Sequence, residues 1–154
     1  MTAPKPSRLP LGRTLYARAV LIDTGGFLAL ANRADPKHED AVACLRLISA
    51  ERLPLFVSSP TVHETQRRFL FDFGHAEAER FVRSILDGSV NIIRTLEEDD
   101  REGLRLMHRY AALALTLTDA VNMALMTRLQ IGSCFSFDRH FLQAGYIRIP
   151  PFHL

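Results

Sequence analysis

The sequence predicts an α/β domain built on a central, mostly parallel sheet. Three observations carry that expectation. Short apolar runs alternate with segments of helical spacing, as in successive βαβ units joined by right-handed crossovers. The first run, Tyr16 to Asp23, is almost continuously apolar, as a strand covered on both faces requires. Four carboxylates, Asp23, Glu64, Asp119 and Asp138, close apolar runs or fall in the first turns of helices that follow them. In an open α/β sheet such positions converge at the carboxyl ends of the strands.

Residues 1–15 hold Pro4, Pro6 and Pro10 among scattered basic residues without periodicity, and read as an N-terminal tail ahead of one domain over 16–154. After the first strand, Thr24-Gly25-Gly26 is expected to turn the chain, and Phe27-Leu28-Ala29-Leu30 to begin a short helix. Asp35-Pro36 has the form of an N-cap with proline at the first helical position. It predicts a helix to about Ala50 with Ala41, Leu45 and Ile48 on one face. Pro54 to Ser58 is the second strand, and Ser59-Pro60 opens the helix that carries Glu64. An amphipathic helix over about Ala76 to Leu86 turns Phe81, Val82 and Ile85 inward and ends at Gly88.

Val90 to Ile93 gives a third strand. Thr95 to Tyr110 reads as a helix with Glu97, Glu98, Asp99 and Asp100 in its first turn, where acids complement the helix dipole, so these four are assigned to structure. Thr118 is expected to cap the next helix, in which Val121, Leu125 and Leu129 are spaced by four, with Gly132 as its stop. Ser133 to Phe137 makes the fourth strand, Arg139 to Ala144 a short helix, and Tyr146 to Ile149 the last strand.

A chain of 154 residues buries roughly 68–70% of its unfolded surface, so its fold does not depend on a metal or disulfide. Hydrophobic residues at 47% and charged residues at 23% exclude a disordered or collagenous chain. Cys44 and Cys134 lie in apolar runs and not in a C-x-x-C pair, which suits buried thiols and a reducing cytoplasm. No apolar run reaches the roughly 18 residues of a membrane span, and the N-terminus lacks a hydrophobic signal core. The expectation is a soluble, cytoplasmic protein. Net charge is +2, and nearly all the positive charge is Arg, with Lys5 and Lys37 the only lysines. The planar guanidinium fork suits phosphate.

Each acid taken alone has a structural explanation. Asp23 and Asp138 could cap turns or helices, Asp119 could stabilise a helix start, and Thr61-Val62-His63-Glu64 has the form of a capping box. Gathered at one sheet edge, the four would repel one another unless a cation or proton intervened. They would make a hard oxygen site for Mg²⁺ or Mn²⁺, the signature of a metal-dependent enzyme.

Leu21-Ile22-Asp23-Thr24-Gly25-Gly26-Phe27-Leu28-Ala29-Leu30, with Asp35-Pro36-Lys37-His38 after it, resembles the opening of PIN-domain proteins, especially VapC-like toxins of toxin–antitoxin pairs. Ser59 to Glu64 resembles that family's glutamate segment. Leu115-Thr116-Leu117-Thr118-Asp119-Ala120 and Phe135-Ser136-Phe137-Asp138-Arg139-His140-Phe141 resemble its later motifs. The likeness spans about Ala19 to Ile149. It implies a three-layer α/β/α sandwich and a Mg²⁺- or Mn²⁺-dependent endoribonuclease that hydrolyses RNA, with frequent homodimerisation and often a small antitoxin partner.

The resemblance further implies that Asp23, Glu64, Asp119 and Asp138 bind metal and catalyse, with the Thr24 and Thr118 hydroxyls in support. Where some relatives carry a further acid two residues beyond the last aspartate, this chain has His140. Arg33, Arg67, Arg139 and His140 are candidate RNA contacts. Arg68, one helical turn after Glu64, is read rather as its intrahelical ion-pair partner. The remaining histidines follow no H-E-x-x-H spacing, and Phe69, Phe71 and Phe73 suit packing or a dimer surface.

The alternative is a catalytically idle PIN-fold module that binds RNA or protein, against which four intact acids argue. Another Mg²⁺ phosphohydrolase would show a D-x-D motif after the first strand, whereas Asp23 is followed by Thr24 and Gly25. No G-x-x-x-x-G-K-[ST] loop is present, which removes a P-loop NTPase.

Overall fold

A computed structural model of the protein describes Tyr16 and residues 18–149. The expected N-terminal tail lies outside the described residues, as does the chain beyond 149. One sheet holds β1 (Val20–Ile22), β2 (Leu55–Ser58), β3 (Asn91–Ile93), β4 (Ser133–Phe135) and β5 (Ile147–Ile149). Its order is β3-β2-β1-β4-β5, and every pairing is parallel. The helices are α1 (Thr24–Ala31), α2 (His38–Ala50), α3 (Ser59–Phe73), α4 (His75–Asp87), α5 (Glu97–Arg109), α6 (Leu117–Leu129) and α7 (Arg139–Gln143).

The pleat sends alternate residues of a strand to opposite faces. Ala19 and Leu21 enter one core with Phe56, Cys134 and the α6 residues Met123 and Ala124. Val20 and Ile22 enter the other with Val57, Phe135, Cys44 of α2, Phe69 of α3 and Phe81 of α4. Helices therefore cover both faces, giving the three-layer α/β/α sandwich. Val20, Leu21 and Ile22 are at most 1% exposed, and burial of each such side chain is worth about 1.5–3 kcal/mol. Gly103 lets α5 lie close against α6, since a Cβ there would stand 2.9 Å from Val121 Cγ2.

Several boundaries differ from the sequence expectation, each for a local reason. Thr24-Gly25-Gly26 is not a turn but the first turn of α1, because the Asp23 side chain accepts from the Gly26 N–H and starts the helix at once. The α2 helix begins at His38 and not at Pro36, because the Asp35 carboxylate accepts from Lys37 N–H in a separate turn. Its buried stripe is Ala41, Cys44 and Ile48, and Leu45 sits at the exposed margin.

Helix α3 is capped by Ser58, with Pro60 in its first turn, close to the expected Ser59-Pro60 start; the alternative Thr61–Glu64 box is not formed, and Thr61 is buried inside the helix. For α6 the cap is Thr116, not Thr118. The helix closes at Gln130 in the left-handed region (φ 58°), ahead of Gly132. Its residues from Ala120 to Met126 are buried without a break, because α6 is enclosed by both the sheet and α5.

Candidate active site

The crossovers run β1 to β2 and β3 on one side, then return to place β4 on the other side of β1. The strand order therefore reverses between β1 and β4, and ligands of open α/β sheets bind in the crevice outside such a reversal. Asp23 leaves the end of β1, and Ser136 to Asp138 leave the end of β4. The Asp23 N–H donates to the Phe135 carbonyl at 3.2 Å, carrying the pairing one residue past β1. A Cβ at Gly26 would lie 3.1 Å from that same carbonyl and 3.0 Å from Ile22 Cγ1, so glycine lets α1 start tight against both strands.

All four predicted acids line one cleft there, Asp23 from β1, Glu64 from α3, Asp119 from α6 and Asp138 from the β4 exit. Three of them cap helices as well. Asp23 accepts from Gly26 N–H at 2.9 Å and from the Ser136 hydroxyl, which in turn accepts from Asp138 N–H at 3.0 Å. Asp119 completes a capping box, accepting from the Thr116 hydroxyl at 2.8 Å while Thr116 accepts from Asp119 N–H at 3.1 Å. Asp138 caps α7 by accepting from His140 N–H at 2.8 Å. Capping and clustering are therefore compatible: each cap leaves the carboxylate at the mouth of its strand or helix.

Their electrostatics are unsatisfied. Burial pushes the Asp23 carboxyl up from 3.8 to about 7, and the like charges of Asp119 and Asp138 push the same way against the hydrogen bonds of Ser136 and Gly26. Asp119 is raised by burial too, with Asp138 and Glu64 adding repulsion against the two Thr116 hydrogen bonds. A hollow between α5 and α6 also gathers acids, but there Asp99 and Glu102 are each neutralised by an arginine, Arg128 and Arg105. The cleft acids have no such partner among the described ion pairs, apart from the 3.2 Å approach of His140 to Asp138.

The predicted supporting residues divide. Thr24 and Thr118 line the cleft, and Thr65 donates to the Thr24 hydroxyl at 3.4 Å. Arg139 and His140 line an adjoining hollow that shares Phe137 and Asp138 with the cleft. Arg33 is exposed after α1, and Arg67 lies over the Phe71 ring; neither is among the cleft-lining residues. Arg68 does line the cleft, and its partner is Asp72 at 3.2 Å rather than Glu64.

Sequence reasoning missed Ser136, Lys37 and Asn122. Lys37 reaches the cleft rim over the Phe137 ring. Asn122 is fully buried with Ser58 and Thr61, accepting from the Ser58 hydroxyl at 2.6 Å and donating to Thr61 Oγ1 at 2.9 Å. This triangle bolts α6 to the β2–α3 junction, one turn after Asp119 and one turn before Glu64. A lone amide inside the apolar run Ala120 to Met126 was the available signal, because a buried polar group needs a partner.

The PIN-domain family model matches residues 20–145. No curated protein sequence matches the chain. Among solved structures, the chain is similar to VapC20 of Mycobacterium tuberculosis, a toxin that cleaves the sarcin-ricin loop. Identity is 22% and the TM-score 0.77, over 86% of this chain and 100% of that one. It is similar also to a toxin–antitoxin complex from Klebsiella pneumoniae (18%, TM-score 0.63, covering 88% and 100%) and to FitAcB from Neisseria gonorrhoeae (17%, TM-score 0.63, covering 88% and 99%). At these identities the likeness is one of fold.

Proposed function

Because this chain belongs to the PIN-domain family, we propose that it is a Mg²⁺- or Mn²⁺-dependent endoribonuclease, the toxin of a toxin–antitoxin pair. The observation that carries the reading is the convergence of four carboxylates from four separate segments on one cleft, with burial and neighbouring like charge disfavouring the ionised forms of Asp23 and Asp119. Such a set fits a hard divalent cation, which would replace the missing positive charge. Asp23, Glu64, Asp119 and Asp138 would hold it. A cation bound by carboxylates acidifies water and neutralises charge on a phosphodiester, so hydrolysis needs no nucleophilic side chain.

The chain's own residues supply the rest. Ser136 fixes one Asp23 oxygen and Gly26 N–H the other, so the carboxylate meets the cleft in one orientation. Thr24 and Thr118 offer hydroxyls to water. Lys37, Arg68 and Arg139 ring the cleft and its adjoining hollow, where they would grip phosphates on either side of the scissile bond. The loop-cleaving activity of VapC20 makes structured RNA the substrate class to try first.

A homodimer and a small antitoxin belong to the same proposal, and Phe71, 72% exposed on α3, offers an apolar contact for either. So does a cytoplasmic setting: Cys44 and Cys134 are unpaired buried thiols, and no helix among the described residues is long and apolar enough to cross a membrane. The test is cleavage of loop-containing RNA with and without Mn²⁺ by wild type and Asp119→Asn. Wild type should cut only with the metal, and Asp119→Asn should lose about a hundred- to a thousandfold, on the scale of removing one transition-state-stabilising group. Equal cutting by both proteins removes the acids from the mechanism, and binding without cutting favours the idle module.

A further inference from the structure

Resting on the metal-dependent reading, we propose that His140 is itself a metal ligand, and that Asp119, Asp138 and His140 form a mixed nitrogen–oxygen cation position that favours Mn²⁺ and similar transition ions over Mg²⁺. The donor atoms of these three side chains all lie within 4.8 Å of one another. Ligands opposite each other on a hard divalent ion at about 2.1 Å stand roughly 4.2 Å apart, so this spacing is within a small side-chain adjustment of shared coordination.

The imidazole geometry separates a ligand from a simple ion-pair partner. His140 Nδ1 is closed off from solvent and makes no hydrogen bond, although Asp138 Oδ1 lies only 3.2 Å away. That oxygen is already held by the His140 N–H at 2.8 Å. Adjacent ligands of one ion at about 2.1 Å stand roughly 3 Å apart, the spacing of this nitrogen and oxygen. A nitrogen closed off from solvent without a hydrogen bond has lost its solvation, which coordination would offset.

The chemical consequence is selectivity. An all-carboxylate position suits Mg²⁺, whereas imidazole suits first-row transition ions, whose affinities rise along the series from Mn²⁺ towards Cu²⁺. His140 thus turns towards the metal and away from the RNA-contact role that its neighbour Arg139 can fill.

The experiment titrates Mn²⁺ into the RNA-free full chain and records pulsed electron paramagnetic resonance. Wild type should show ¹⁴N coupling to bound Mn²⁺, converted to the ¹⁵N pattern when histidine alone is labelled. The coupling should vanish in His140→Gln, while His140→Asp should bind Mg²⁺ nearly as well as Mn²⁺. Loss of the ligand should weaken Mn²⁺ binding by at least the ~10–100-fold that loss of a supporting outer-shell partner costs. Bound Mn²⁺ without histidine coupling in wild type overturns the assignment of His140 and leaves the carboxylate site standing. No Mn²⁺ binding at all overturns both. The labelled wild type gives its answer even where a variant fails to fold.

Discussion

Replacing Asp23 by asparagine should do opposite things to stability and to activity, and the size of the first effect follows from the site. The folded carboxyl keeps its proton to about pH 7, whereas the unfolded one releases it near 3.8, chiefly because Asp23 is buried, 7% exposed, just past the carboxyl end of β1. Between those values the native state binds more protons than the unfolded chain, so unfolding free energy falls as pH rises. The contribution is whole below pH 3.8 and lost above about 7. At 1.36 kcal/mol per pH unit, the interval corresponds to about 4 kcal/mol.

Asparagine has the shape of the protonated acid and carries no such penalty. Its carbonyl can still accept from Gly26 N–H, and its amide can donate to Ser136 Oγ, but the Ser136 proton must then turn elsewhere at a cost of about 1 kcal/mol. The net gain for metal-free Asp23→Asn over wild type should therefore be about 3 kcal/mol at pH 8, or roughly 6–12 °C in Tm for a chain of this length.

Thermal melts of both metal-free proteins at pH 4.5 and pH 8 measure it, and the difference between the proteins cancels every group they share. Mn²⁺ at a hundred times its Kd should raise wild type at pH 8 by about 2.7 kcal/mol and leave the variant nearly unmoved. RNA cleavage by the variant should be abolished. A Tm difference that is the same at both pH values would refute the argument that burial and charge crowding load this carboxylate.

Two further outcomes follow from the scaffold around the cleft. Asn122→Leu should cost about 1–3 kcal/mol, because it leaves the fully buried Ser58 and Thr61 hydroxyls only each other as side-chain partners, and any folded protein should bind Mn²⁺ more weakly as α6 and α3 loosen; urea melts and Mn²⁺ titration check both, and unchanged affinity would separate the bolt from the acids. Asp99→Asn should destabilise by about 2 kcal/mol at neutral pH by breaking the paired hydrogen bonds from Arg128. Those bonds hold the Asp99 carboxyl below its ordinary range, so wild type loses this contribution as pH falls through the folded value, and the two proteins should converge in acid melts.

Local chemistry in the chain was enough to place the elements. Strand and helix periods differ, so Tyr16 to Asp23 and Pro54 to Ser58 announce buried strands, of which the fold keeps Val20–Ile22 and Leu55–Ser58, and the acids after them announce the functional edge. Cap positions were less legible. Thr116 and Thr118 are both good caps, and the choice fell to the one whose hydroxyl and N–H the Asp119 carboxylate can reach back to bond. Asp35-Pro36 likewise reads as a helix start, yet Asp35 spends its oxygen on a separate turn.

What the sequence determined by itself is the alternation of buried strands with helices, and the presence of four acids at their ends. Folding alone decided which of those ends meet: Ser136 bonds Asp23 across 113 positions, and Ser58 bonds Asn122 across 64. The physical reason is that periodicity and capping act over a few residues, whereas the order β3-β2-β1-β4-β5 comes from how the two faces of the sheet are covered as a whole. The site lies where that order reverses, so its electrostatics, its bolt and the place of His140 became visible only once the strands stood side by side.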